Sequence, residues 1–112
     1  MPTPPAYHTD PRDLLRDHSR RLADLVAWDR SVGDDAPRFG LMFRDKTDEV
    51  VVAARRLAAH PTLSGDVDLG RSVVSLGDAA ARGWADPTFN REVIAAAHEV
   101  AERAEDLLGI TW

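Results

Sequence analysis

The segment AAAHEVAERAED, Ala95 to Asp106, sets His98, Glu102 and Glu105 along one stripe of a helix. An imidazole and carboxylates one turn apart are ordinary ligands for a divalent cation, so the direction of the stripe decides its chemistry. Successive helical residues turn by about 100°, which centres the apolar face of this helix between Ala97 and Val100 and puts the three polar residues on the side away from it. A metal site in a helical bundle draws inward-pointing carboxylates and histidines from several helices, commonly as Glu-x-x-His. Ala95 stands where that glutamate would be. The stripe therefore reads as a solvated face with a His98–Glu102 pair, and neither a metal nor a cofactor is expected.

More informative are polar residues on apolar faces. His18 and Asp29 fall in the middle of the apolar face of a first helix, and Lys46, the chain's only lysine, falls within that of a second. Burying an unpaired charge is costly, so such groups are paired inside or lie where the fold opens. His18 reads as a buried polar residue, a core imidazole hydrogen-bonded to its neighbours. Asp29 lies in the last turn of its helix, and Lys46 can lay its stem on apolar surface with the ammonium in water.

The aromatic residues gather near the same level. Trp28, Phe39, Phe43, Trp84 and Phe89 surround two of the turns, with Arg30, Arg38, Arg82 and Arg91 close by. A recess is expected there, walled by the five aromatics, with Asp29 near its mouth and Lys46 about two turns deeper. Aromatic walls with cationic rims suit a small anionic ligand or a partner segment. The same residues would also serve as a plain aromatic plug.

The tetrad SLGD, Ser75 to Asp78, resembles the end of the second carboxylate motif of the all-α nucleoside-triphosphate pyrophosphatases, and DKTDE, Asp45 to Glu49, precedes it at about the right distance. The resemblance implies a magnesium-dependent nucleotide site on two helices and is confined to the stretch from Asp45 to Asp78. Ser75 departs from the pattern, standing where a magnesium-binding carboxylate belongs, and Asp45, Asp48 and Asp78 lie off the apolar faces of their helices. Magnesium needs several oxygens converging with the substrate phosphates, which a serine at that place weakens. No serine or histidine sits in the strand-to-helix elbow that activates a nucleophile, and no glycine-rich phosphate loop is present.

The elements that would position these groups are four helices. Asp10-Pro11 and Asp86-Pro87 each put a capping carboxylate before a proline at the first helical position, where the missing N–H would have had no partner. DDAPRF, Asp34 to Phe39, starts a second helix at Pro37 or, because Gly40 weakens its first turn, nearer Asp45. HPTLSGD, His60 to Asp66, ends that helix and starts a third near Ser64 or Asp66; Gly109 stops the fourth in a left-handed cap. Apolar stripes at helical spacing run through Leu15, Leu22, Leu25 and Val26, through Phe39, Phe43, Val50, Ala54 and Leu57, through Leu69, Val73, Leu76 and Ala80, and through Phe89, Val93, Val100, Ala104 and Leu107. EVVVAA, Glu49 to Ala54, is the one segment with β character, but the stripe continues through its valines at helical spacing. Short connections between long helices force antiparallel neighbours, so the expected fold is an all-α, antiparallel up-down-up-down four-helix bundle over residues 10–112, with residues 1–9 as a flexible tail.

Bulk composition bounds the function. The 112 residues suffice for one core, and the absence of cysteine removes thiolate catalysis, thiolate metal sites and disulfides together. A net charge of −5 with both signs spread along the chain argues against nucleic acid as a partner. No apolar run has the length of a membrane span, and the N-terminus lacks the features of a signal peptide, so a cytoplasmic protein with no membrane partner is expected. The apolar arcs are broader than one core-facing stripe: Leu41, Val51 and Val52 flank the second, and Val67 and Val74 the third. That surplus suggests a patch hidden by another subunit, in a dimer, or by another protein. The expected function is protein binding by a homo-oligomeric adaptor, regulator or immunity-type factor; the alternative is a small-molecule or nucleotide-binding bundle, including a degenerate pyrophosphatase-like protein.

Overall fold

The computed structural model describes residues 10–32, 40–85 and 90–109. They form four helices, α1 (Pro11–Val32), α2 (Gly40–Ala59), α3 (Val67–Ala85) and α4 (Asn90–Leu108), with no strand among them. The three consecutive valines of EVVVAA are helical: Val50 and Val51 point into the core and Val52 points out.

The helix ends follow local chemistry. The Arg12 amide donates to Asp10 Oδ1 across 2.9 Å, so Asp10 caps α1 with Pro11 as its first residue. Of the two starts considered for α3, Asp66 is the cap: its Oδ1 accepts from the Leu69 amide at 2.7 Å. Between α2 and α3 the chain turns on His60, whose carbonyl accepts from the amides of Leu63 and Ser64, both at 2.8 Å, and whose Nδ1 accepts from the Thr62 amide at 3.1 Å. Leu63 is buried, so this turn closes its end of the core. Gly109 follows α4 with φ of 66°, the left-handed conformation that favours glycine. Helix α2 is already formed at Gly40, ahead of Asp45. The other expected start points, Pro37 and Pro87, lie outside the described residues, as does the expected tail over 1–9.

Side-chain bonds fix the directions. His18 and Asp29 of α1 meet Ala97 and Asn90 of α4 respectively, so the two helices run antiparallel. Asp68 and Ser72 of α3 meet Arg103 and Glu99 of α4, again in opposite order. The short turn at His60 reverses α2 into α3, and Arg21 of α1 reaches Glu49 of α2 at 3.4 Å. The result is an all-α bundle in which each helix neighbours the next, α1 closes on α4, and α2 also touches α4 across the diagonal.

The core is built from Leu15, Leu22 and Leu25 of α1, Val50, Ala54 and Leu57 of α2, Leu69, Val73 and Leu76 of α3, and Val93, Ala97, Val100 and Ala104 of α4. Two expected positions differ. Val51, expected on a surface flank, is buried, because α2 meets α1, α3 and α4 and its covered arc is correspondingly wide. Leu107 is 42% exposed, since the last turn of α4 places Leu108 against the core instead.

Candidate functional site

The outward face of α3 carries the two most exposed large hydrophobic side chains among the described residues. Val67 and Val74 are 66% and 63% exposed, and Gly70 and Ala81 on the same stripe are exposed too. The reason is periodic: Leu69, Ser72, Val73, Leu76, Ala79 and Ala80 fill the covered side of the helix, which leaves Val67 and Val74, seven residues apart, diametrically opposite. Val52 on α2 is 46% exposed but stands apart from them, in a shallow groove toward α1 with Asp17, Arg21 and Arg56. The expected oligomer patch is therefore divided. Val67 and Val74 share one face, Val52 faces elsewhere, Val51 is buried, and the Leu41 side chain lies outside the described residues.

Polar groups border the α3 stripe. Arg71 and Asp78 are exposed along its α4 side and neither forms an ion pair with a described residue. On the α2 side the Arg55 guanidinium comes within 3.4 Å of the place a Cβ on Gly77 would occupy.

At the other sequence-derived site, the structure supplies a link that periodicity does not show. Asn90, the first residue of α4 and buried, donates from Nδ2 to Asp29 Oδ1 at 2.7 Å. The Asp29 carboxylate thus lies at the N-terminus of α4, where the helix dipole favours negative charge. Trp28 is buried in the core, and Lys46 is half-buried. Phe39 and Phe89 lie outside the described residues, as do the side chains of Phe43 and Trp84, so the expected recess is represented by Trp28, Asp29 and Lys46 alone. What sequence reasoning missed is Asn90, whose only signal is a polar residue at helical spacing from Val93, Ala97 and Val100.

His18 is fully buried. Its Nε2 lies 3.0 Å from the Ala97 carbonyl oxygen, an acceptor, so Nε2 carries a proton. Nδ1 makes no hydrogen bond of normal geometry, although the Val50 carbonyl is near enough to favour the protonated ring. Burial outweighs both carbonyls and the Asp17 carboxylate and holds the imidazole below its ordinary pKa.

The carboxylates do not assemble. His98 and Glu105 border a groove between α1 and α4, whereas Glu102 borders a different one between α3 and α4. Asp48 and Glu49 face the α1 side of α2, and Ser75 lines the α3–α4 groove with Asp68, Arg71, Glu99 and Arg103. The two halves of the pyrophosphatase-like pattern thus open onto different grooves. Among the described residues no group of three histidine, aspartate or glutamate side chains is placed to hold a metal ion. Ser72 Oγ reaches both the Asp68 carbonyl, at 3.1 Å, and Glu99 Oε1, at 3.3 Å, and is tied to structure by both bonds.

No described helix is long and apolar enough to cross a membrane. Comparison with known proteins finds no matching family, and no curated protein or solved structure shows significant similarity to the chain.

Proposed function

We propose that this chain is a cytoplasmic, non-enzymatic helical bundle that acts by binding protein, and that its binding surface is the outward face of α3. One observation carries the reading: Val67 and Val74, a valine pair on one helix face, are each about two-thirds exposed. Valine side chains gain by leaving water, and an exposed pair beside small residues offers a flat apolar strip that another helix can cover. Homo-oligomerisation is the economical way to cover it, because a closed two-fold contact hides the same strip on both copies.

The reading is tested by affinity capture from the native host with the wild-type chain and with Val74→Asp as baits. A protein recovered by the wild type and lost with the variant supports it, provided the variant melts like the wild type. Equal recovery by both baits moves the binding surface elsewhere, and magnesium-dependent hydrolysis of a nucleoside triphosphate by the purified chain contradicts the non-enzymatic assignment.

A further inference from the structure

The exposed stripe of α3 has an order that specifies its occupant. Val67, Gly70, Val74, Gly77 and Ala81 alternate three- and four-residue steps, the spacing of a coiled-coil seam. Read from either end, the series is nearly the same: valine, glycine, valine, glycine, then alanine in place of the last valine. A seam of that kind is complementary to a reversed copy of itself. With a two-fold axis at Val74, Val74 meets Val74 of the second copy, Val67 meets Ala81, and Gly70 meets Gly77. Gly70, with open space at its Cβ position, adds no bulk beside the central valine pair, and at the facing Gly77 the Arg55 guanidinium, 3.4 Å from the Cβ position, borders the seam.

Charge selects the same arrangement. Arg71 and Asp78 lie on one edge of the stripe, seven residues and about 10 Å of helix rise apart, too far to pair with each other. Neither forms an ion pair with a described residue. When two helices run antiparallel, the same edge of each faces its counterpart, and an axis at Val74 puts Arg71 opposite Asp78 of the second copy and Asp78 opposite its Arg71. One symmetry operation thus gives each charge a partner and the contact two ion pairs. A parallel pair would place this edge against the positions of Val73 and Ala80, which are buried in their own bundle, and would leave the charges unmatched.

We infer that the chain forms a two-fold dimer through antiparallel pairing of α3 with α3 of a second copy, centred on Val74 and keyed by reciprocal Arg71–Asp78 ion pairs. The inference rests on the reading of α3 as the binding surface and adds its partner, direction and register.

The test is a charge-reversal pair followed by analytical ultracentrifugation at micromolar concentration. Arg71→Asp and Asp78→Arg each set like charges face to face at two places, so each variant alone should associate about tenfold or more weakly than the wild type. Mixed in equal amounts, they should form a heterodimer as stable as the wild-type dimer, because the first then carries two acids and the second two arginines at the matching places. As a second measurement, Val74→Cys in this cysteine-free chain should oxidise to a disulfide-linked dimer, and Val52→Cys should not. A wild-type dimer whose affinity neither reversal changes, or variants that fail to recombine on mixing, overturns the register while leaving α3 as a binding surface. A wild-type chain that stays monomeric overturns the dimer and leaves the surface to a foreign partner.

Discussion

The imidazole of His18 donates from Nε2 to the carbonyl oxygen of Ala97 across 3.0 Å, tying the middle of α1 to the middle of α4 inside the core. The bond needs only one ring proton, and burial holds the pKa below its ordinary value of 6.5. Above that pH the ring is neutral in both the folded and the unfolded chain and has no pH effect. As pH falls below about 6.5, the unfolded chain takes up a proton that the folded chain refuses, so stability declines until the lowered folded pKa is reached. The melting temperature should begin to fall as the pH drops below about 6.5. His18→Leu should abolish that decline, since leucine fills a similar volume and Ala97 retains its place in the helical ladder. An unchanged decline in the variant would assign it to another group.

Asp29 and Asn90 join the C-terminal end of α1 to the first turn of α4. Asp29→Ala leaves a buried asparagine without its acceptor, and Asn90 Oδ1 already has no partner in the structure. A loss of about 1–3 kcal/mol in urea unfolding is expected. Asp29→Asn keeps an acceptor oxygen and should lose less. Equal losses from the two substitutions would show that charge at the α4 terminus, not the hydrogen bond, is what matters.

Asp66 both caps α3 and lies 3.8 Å from Arg103 Nε, beyond hydrogen-bond reach. Its capping bond to Leu69 should dominate. Asp66→Ala is expected to cost about 0.5–2 kcal/mol, whereas Asp66→Asn, which retains the cap, should be nearly neutral. Chemical denaturation of both variants separates the roles.

The two sides of α3 should respond oppositely to truncation. Leu76→Ala opens a cavity in the core and should cost about 2–5 kcal/mol. Val74→Ala removes only exposed surface and, at concentrations where the chain is monomeric, should stay within about 0.5 kcal/mol of the wild type. A large loss at Val74 would place it in the core and remove the proposed surface.

These contrasts show what the sequence carries. Caps are local, so Asp10, Asp66 and Gly109 could be recognised from a few neighbouring residues. His18 was legible as a buried group because helical periodicity alone puts it between Leu15 and Leu22 on the inner stripe. Val51 was not, because periodicity gives the direction of a face and not how many neighbours cover it, and α2 meets three helices. Asn90 and Ser72 were missed for a related reason: their partners, Asp29 and Glu99, are distant in sequence and belong to other helices. The buried Leu63 belongs to a turn, where no period applies. Val67 and Val74 were readable as outward-facing from the wheel of α3, and the structure adds that the charges on their border, Arg71 and Asp78, have no partner among the described residues.

The most direct test of α3 as a binding surface is the mass in solution, by light scattering from low to high micromolar concentration, of the wild-type chain and Val74→Asp. The account predicts a wild-type mass rising to twice the 12.3 kDa of one chain and a variant that remains at the single mass with an unchanged melting temperature. A variant that dimerises as readily as the wild type would contradict it.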